Sequence, residues 1–291
     1  MDLVVRVPRM PLPGETLTGH SFLPNPGGKG ANQAVACARQ GAQVDMIGRV
    51  GNDSFGAGLR AALVAQSVDA SGVGTTDEMS TGVAMIMVDD AAQNCIAVVP
   101  GANASVGAQD AETLRQRVAA AGLLLLQLEV PMVAVLGAAA IARQAGCPVL
   151  LNPAPAQALP EALWPLVDIL VLNETEAALF SGLPGVDPGN ANEAASALLR
   201  RGPQHVIVTL GAHGVVWASA AGTRHLPAQK VQAVDTTAAG DTFIGALAAL
   251  LVEGRSMEEA LSHAIRAAAI CVTRVGAQTS MPSRGEVERR G

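Results

Sequence analysis

Two aspartates six residues apart bracket a run of small residues in Asp235-Thr-Thr-Ala-Ala-Gly-Asp241, and an apolar helical pattern, Thr242 to Leu251, follows at once. A helix that begins there leaves its first backbone N–H groups without intrahelical partners, free to hold an anion beside the Asp241 carboxylate. This is an arrangement for chemistry on a phosphoryl group. A helix start needs a cap, but it needs neither an Ala-Ala-Gly nest nor a second carboxylate.

A second cluster, Pro26-Gly-Gly-Lys-Gly-Ala-Asn-Gln33, stands at the entry to another helical pattern. Its glycines let a ligand approach the backbone, Lys29 offers charge, and Asn32 both donates and accepts hydrogen bonds. The spacing is neither that of a G-x-x-x-x-G-K-[ST] phosphate loop nor that of a G-x-G-x-x-G dinucleotide turn. Taken alone, the run is equally a glycine-rich turn capping a helix.

Four more groups lie at the ends of short apolar runs: Gln127-Leu-Glu129, Asn152-Pro-Ala-Pro-Ala156, Asn173-Glu-Thr-Glu176 and Thr209-Leu-Gly-Ala-His-Gly214. The carboxyl ends of parallel strands line the crevice where open α/β sheets take ligands. Glu176 is either an anchor for a hydrated magnesium ion or an acidic residue favoured by a helix dipole. Glu129 is either the partner of a substrate hydroxyl or a strand-end residue reaching solvent. Thr209 to Gly214 reads as a hairpin turn or as a nucleotide loop. His263, within an Ala-rich helical pattern, is by default a packed or partly exposed histidine.

The elements that must position these groups alternate along the chain. Gly30 to Gln40 is helical, Val44 to Val50 strand-like and Phe55 to Gln66 helical; apolar runs follow at Leu123 to Leu128, Pro148 to Asn152, Ile169 to Asn173 and His205 to Leu210. This is the βαβ pattern of a mostly parallel sheet covered on both faces. Leu3 to Phe22 and Thr81 to Pro100 break the rhythm. In the latter, Val83 to Val88 and Cys95 to Val99 flank the polar turn Asp89 to Asn94, which predicts a β-hairpin able to act as a water-excluding flap.

Composition narrows the setting. The 291 residues are 49% hydrophobic and only 15% charged, enough to bury a large core. A net charge of -6 without a basic run argues against a nucleic-acid surface and for a small-molecule partner. Cys37, Cys95, Cys147 and Cys271 are far apart and show no metal-binding spacing, so reduced thiols in the cytoplasm are expected. Asp2, Arg6 and Arg9 leave no apolar signal region near the start. The apolar stretch Ala119 to Ala145 is broken by Gln127, Glu129 and Pro131 and reads as a strand then a helix, not a membrane span.

Together these segments resemble the PfkB family of carbohydrate kinases, its ribokinase-like branch in particular. One family signature matches Gly27 to Ala34 and the other Asp235 to Leu247. Thr81-Gly-Val-Ala, Gly101-Ala-Asn-Ala, Gln127-Leu-Glu, Asn152-Pro-Ala-Pro-Ala, Asn173-Glu-Thr-Glu and Gly276-Ala-Gln are similar to family segments in the same order, over nearly the whole chain. The resemblance implies an α/β fold, a ribokinase-like three-layer α/β/α domain spanning residues 1–291, with a mostly parallel central sheet and a small β lid from about 3–22 and 81–100. It implies ATP-dependent phosphorylation of D-ribose at the 5-hydroxyl, giving ribose 5-phosphate.

The same resemblance implies roles. Asp241 would be the base, and the N–H groups of Ala239, Gly240 and Asp241 the anion hole. Asp2, Gly28, Lys29, Gly30, Ala31, Asn32 and Glu129 would hold the sugar. Asn173, Thr209, Leu210, Gly211, Ala212, His213, Gly214, Gly240 and His263 would contact ATP, with Glu176 supporting Mg2+ through water. A K+ ion would take the Asp235 side chain, the carbonyls of Thr237, Cys271, Arg274 and Gly276, and the Ser280 hydroxyl. A homodimer through the lid is also implied. Related chains open with an apolar strand inside the main sheet, ending in Gly-x-x-Asn-x-Asp. This chain starts at Met1-Asp2, so that strand and its sugar-binding asparagine are expected to be missing. Other expectations therefore stand beside ribose phosphorylation: a kinase for deoxyribose, another pentose or a nucleoside, or a weakly active sugar- or nucleotide-binding remnant.

Overall fold

Short apolar runs bounded by Gly, Pro and Asn form strands, and the Ala-rich stretches between them form helices. The computed structural model describes residues 1–91 and 93–289; Ala92, inside the expected turn Asp89 to Asn94, and residues 290–291 lie outside the described residues. In chain order come β1 (Asp2–Val7), β2 (Ser21–Asn25), α1 (Lys29–Arg39), β3 (Val44–Gly51), α2 (Ser54–Ala65), β4 (Val68–Thr76), β5 (Val83–Asp89) and β6 (Asn94–Val99). Next are α3 (Ala108–Arg117), β7 (Leu124–Leu126), α4 (Met132–Ala145), β8 (Val149–Leu151), β9 (Ile169–Asn173), α5 (Glu174–Ser181), α6 (Ala191–Leu199) and β10 (His205–Thr209). Then follow β11 (Val215–Ser219), β12 (Gly222–Leu226), α7 (Ala239–Val252), α8 (Met257–Cys271) and α9 (Arg284–Glu288).

The main sheet has the order β12-β11-β10-β9-β8-β7, parallel from β7 to β10 and closed by the antiparallel β11 and β12. Successive side chains of its central strands go to opposite faces. Leu151, Leu170, Leu172, Val206 and Val208 pack with α4, α5 and α6, while Leu150, Ile169, Val171 and Ile207 pack with α7 and α8. This is the three-layer arrangement that the apolar runs predict. Both tryptophans belong to it. Trp164 is 2% exposed, with the Phe180 ring edge-on and the Arg201 guanidinium 3.7 Å above it; Trp217 on β11 donates its indole N–H to His205 Nδ1 at 3.1 Å.

The flap is a four-stranded sheet in the order β2-β1-β5-β6, with β1 parallel to β5 and antiparallel to β2. It starts at Asp2 and its second strand reaches Asn25, beyond the expected boundary at residue 22. Phe22, Leu23, Met85, Ile96 and Val98 are exposed on it.

Elsewhere the structure departs from one continuous sheet. β3 and β4 pair in parallel with each other alone, apart from the main sheet. Among the described residues no strand bonds to the other edge of β3 or to the free edge of β7, and a cavity of about 940 Å³ lies between them. No helix among the described residues is long and apolar enough to cross a membrane.

Candidate active site

The amino ends of α1 and α7 meet the carboxyl ends of β7 to β10 at one end of the main sheet. α7 begins from Ala238, whose φ of +58° is left-handed, and no side chain caps it. The Ala239 N–H turns back onto the Thr236 carbonyl at 3.2 Å, which corrects its expected place in the anion hole; Gly240 and Asp241 keep N–H groups with no carbonyl partner among the described residues. Space around Gly240 is open, since a Cβ built there would touch nothing within 4 Å. One helix end thus offers two free donors and a carboxylate.

Asp241 is 7% exposed, and its two oxygens are held apart by two amides: Asn32 Nδ2 donates to Oδ2 at 3.1 Å and Gln33 Nε2 to Oδ1 at 3.0 Å. Both donors come from the first two turns of α1, so the crossing of α1 and α7 sets the carboxylate's position. Gln33 also donates to Asn152 Oδ1 at 3.2 Å and accepts from Gln127 Nε2 at 2.5 Å, while Gln278 Nε2 donates to Asn32 Oδ1 at 3.2 Å. Gln33, Gln127, Asn152 and Gln278 complete the site and were not among the residues singled out. Each lies inside a motif read from the sequence, at a strand end or a helix start.

Gly28 leads into α1 at φ +95°, a conformation that lets the Lys29 N–H reach Glu129 Oε2 at 2.7 Å, just past the end of β7. A Cβ on Gly27 would collide with the Asp2 carboxylate, so that glycine is what allows the lid to bring Asp2 against the α1 entry. The Met1 ammonium donates to the Gly82 carbonyl at 2.9 Å and ties the same corner together.

Four carboxyls surround this space with Lys29 beside them, and all four are lifted above their ordinary range. Burial is the main cause for Asp241, opposed by Lys29, Gln33 and Asn32. Burial also lifts Glu129, opposed by the Lys29 N–H and charge and assisted by Asp241 and Asp2; Asp2 follows the same logic against the neighbouring ammonium. Glu176 is raised by burial against the Asn173 amide and Lys29, with Asp241 adding to the rise. Protons taken up here are therefore held more firmly than by exposed carboxylates.

The residues expected on the nucleotide side divide. Asn173 and Glu176 form a reciprocal cap at the start of α5: Glu176 N–H donates to Asn173 Oδ1 at 2.9 Å, and Asn173 N–H donates to Glu176 Oε2 at 3.0 Å. One Glu176 oxygen is thereby engaged, and the other has no hydrogen-bond partner among the described residues. Thr209 pairs in register with Asn173, and an exposed turn, Gly211 to His213, carries the chain from β10 back into β11. The loop is both hairpin turn and strand-end crevice wall. Leu210 is 1% exposed and its side chain belongs to the main core, leaving only its backbone to a ligand.

His263 does not belong to the nucleotide side. It is buried in the middle of α8, where Nε2 bonds Gln40 Oε1 at 2.8 Å at the carboxyl end of α1, opposite the end that carries Lys29 and Asn32. Burial, helped by Arg266 and Arg284, pushes its imidazole down to about 4. A neutral histidine there is a packing and hydrogen-bonding residue.

The loop before α7 is gathered on Asp235. Its carboxylate accepts the Thr237 N–H at 2.9 Å and the Gly276 N–H at 2.8 Å. Burial pulls its pKa up, but those donors outweigh burial and keep the carboxyl below its ordinary range. Cys271 Sγ lies 3.0 Å from Ser280 Oγ and 3.8 Å from the Thr237 carbonyl. Asp235, Thr237, Cys271, Gly276 and Ser280 are thus one cluster; the Arg274 guanidinium is turned to Glu286 at 2.6 Å, which does not bear on the carbonyl expected of that residue. The set is rich in carboxylate, hydroxyl and carbonyl oxygens, the donors a hard cation requires.

Comparison with known proteins agrees with this geometry. The model for "pfkB family carbohydrate kinase" matches residues 1–284. The chain is 42% identical to the ribokinase of Haemophilus influenzae, over 98% of this chain and 93% of that protein. It is 37% identical to the deoxyribokinase of Salmonella typhi, over 97% and 93%. The structure of Arabidopsis thaliana ribokinase complexed with ribose and ATP matches with a TM-score of 0.91 at 34% identity, covering 99% of this chain and 94% of that one.

Proposed function

The chain belongs to the pfkB family of carbohydrate kinases, and from that premise we propose that it transfers the γ-phosphoryl group of ATP to the 5-hydroxyl of ribose. The observation that carries this reading is Asp241, buried and fixed by two amides at a helix end whose next donors are free. As the 5-hydroxyl oxygen bonds to the γ-phosphorus, Asp241 takes the hydroxyl proton, the bond to the β-phosphate oxygen breaks, and ADP leaves. Phosphoryl transfer through a loose transition state asks mainly for positioning and charge stabilisation. The Gly240 and Asp241 N–H groups and the α7 dipole supply the latter.

In this reading Asp2, Glu129 and the α1 entry from Gly28 to Asn32 hold the sugar hydroxyls under the lid. ATP lies along Asn173 and the turn from Thr209 to Gly214. Glu176, with one oxygen free, would hold Mg2+ through water, an ion that keeps several waters and needs few carboxylates; the bound ion would neutralise phosphate charge. The Asp235 cluster would hold K+ and fix the loop that presents the anion hole. With K+ removed, the rate is expected to fall severalfold at saturating substrates; equal steady-state rates in potassium-containing and potassium-free buffers would count against it.

A coupled ADP-release assay across ribose, 2-deoxyribose and adenosine tests the substrate. Ribose is expected to give the highest kcat/KM. A higher value for 2-deoxyribose would move the reading to the sugar of the Salmonella typhi relative. A site for adenosine would want aromatic stacking surfaces, and this chain has no tyrosine and four phenylalanines.

The pH dependence carries a sign. Asp241 must be ionised to take a proton, so kcat falls as pH drops through its raised pKa, above the roughly 4 of an ordinary aspartate. Stability runs the other way: a carboxyl raised by folding contributes stability that is full below its unfolded pKa and is lost as pH rises through the folded one. A kcat profile that stays flat down to pH 4 would contradict the assignment.

The exposed apolar side chains Phe22, Leu23, Met85, Ile96 and Val98 support a homodimer through the lid. Light scattering at micromolar concentration is expected to give twice the chain mass, and a monomer there would remove the interface. All four cysteines are free thiols, which accords with the reducing cytoplasm as the place of action.

A further inference from the structure

β8 ends at Leu151, and Pro153 is the reason a side chain takes over from its backbone. In the parallel ladder of β7 and β8, Leu126 is level with Leu151 and the Asn152 N–H bonds the Leu126 carbonyl at 2.9 Å. Carried across to β9, where Leu151 is level with Leu170, the same pattern sets the nitrogen of residue 153 opposite the Val171 carbonyl. A proline nitrogen has no hydrogen to give. The Asn152 side chain fills the place, its Nδ2 donating to the Val171 carbonyl at 3.1 Å. A buried carbonyl needs a donor, so this amide stands only one way round.

That carbonyl sets the sense of a chain of amides. With Nδ2 on Val171, Asn152 turns its Oδ1 to Gln33, which must then present Nε2: one N–H goes to Asn152 Oδ1 at 3.2 Å and the other to Asp241 Oδ1 at 3.0 Å. Gln33 Oε1 is left to accept from Gln127 Nε2 at 2.5 Å. Turned over, Gln33 would set its oxygen against two acceptors, and Asn152 could relieve one of them only by setting its own oxygen against Val171. Gln33 is 1% exposed and Asn152 7%, so bulk water does not take either edge. Asn32, on the other Asp241 oxygen, is held by a half-buried Gln278, which leaves the interior anchor on the Gln33 side.

We propose that Asn152 is a positioning residue for phosphoryl transfer: fixed to the backbone of β9, it keeps Gln33 a donor to Asp241 both before and after the carboxylate takes the hydroxyl proton. This role rests on Asp241 being the base. A Gln33 free to turn would accept a hydrogen bond from the protonated acid and so retain the proton, whereas a Gln33 held as donor favours the carboxylate against its burial. The charged groups that act on Asp241 are Lys29 on α1, Asp2 on β1, Glu129 past β7 and Glu176 on α5. Among the described residues none of their side chains bonds that of Gln33 or Asn152, so their influence is common to parent and variants.

The test uses the full chain with Asn152→Leu, with Gln33→Leu and with both. One readout is the pH profile of kcat with ribose and ATP; the other is the carbon-13 titration of the Asp241 carboxyl in the ligand-free protein, its signal assigned by its loss in Asp241→Asn. Asn152→Leu is expected to move the acid limb of kcat and the carboxyl titration upward by about half a pH unit or more, while the KM for ribose moves by less than about threefold. Added to Gln33→Leu it is expected to move neither any further, because it acts through Gln33. Asn152→Ala, which leaves room for a water that can turn with Gln33, is read in the same way should the leucine variant not fold. A parent-like titration in the Asn152 variants, with Asp241→Asn still losing turnover, would overturn the role of Asn152 alone. An equal shift in the Gln33→Leu background would mark a general loosening of the site and overturn it too. A shifted carboxyl titration beside an unmoved kcat limb would take the base role from Asp241, and the proposal with it.

Discussion

Asp241→Asn is expected to lower kcat with ribose by about 10²-fold or more while moving the KM for ribose by less than about threefold, the size and pattern of a lost general base. The substitution keeps the side chain's shape in a position that is 7% exposed and leaves the helix-end N–H groups of Gly240 and residue 241 in place. What it removes is the basic carboxylate that the proposed mechanism assigns to the hydroxyl proton. Residual turnover then measures what positioning and the α7 amino end achieve without a base. Near-normal kcat in a steady-state assay would remove Asp241 from the role. A rise in KM of the same size as the fall in kcat/KM would make it a sugar-binding residue instead.

Gly245→Val is expected to destabilise the protein by about 3 kcal/mol, lowering Tm by roughly 6–12 °C, and to reduce kcat in the fraction that folds. Gly245 lies one turn after Asp241 on α7, and a Cβ there would run into the Ala36 methyl and stand 2.7 Å from the Cys37 backbone nitrogen on α1. Ala36 in turn lies one turn after Asn32. The close crossing at Gly245 therefore sets the separation at which Asn32 and Gln33 grip the Asp241 carboxylate one turn above. Widening it lengthens bonds that now measure 3.1 and 3.0 Å. Helix propensity alone makes a glycine inside a helix unfavourable by about 1 kcal/mol against alanine. A thermal melt of Gly245→Val within 2 °C of the parent would show that the helices can part without cost, and the crossing would then not be what fixes the site.

Local signals in the chain were strong where periodicity and strand-end position coincide. The alternation of short apolar runs with Ala-rich stretches located the parallel strands from Ile169 to Asn173 and His205 to Thr209 within a residue, and the polar turn after Val88 located the lid hairpin. The paired carboxylate and small-residue run located the amino end of α7. Features that depend on which strand sits beside which were not legible. β4, with Gly72 and Gly74 in its second half, has no clean alternation, and nothing local indicates that it and β3 stand apart from the main sheet. Within the site the same division holds. The carboxylate was visible as a residue type at a helix start. The amides that orient it come from positions more than two hundred residues away in the chain, and the helical pattern around His263 already suggested a packed histidine without revealing its distant partner, Gln40.

Where the two indoles lie decides what light can report. Trp164 is enclosed against Phe180 and Arg201, Trp217 stands on β11 against His205, and there is no tyrosine anywhere in the chain. Ultraviolet-excited emission from this protein is therefore a gauge of the six-stranded sheet, blind to the four-stranded flap and to the gap beside β7. Sugar uptake and detachment of the flap are therefore expected to leave the emission nearly unchanged. A fluorescence melt and an activity-loss curve recorded on one sample then follow different parts of the molecule, and the interval between them measures how far the catalytic end loosens before the sheet does.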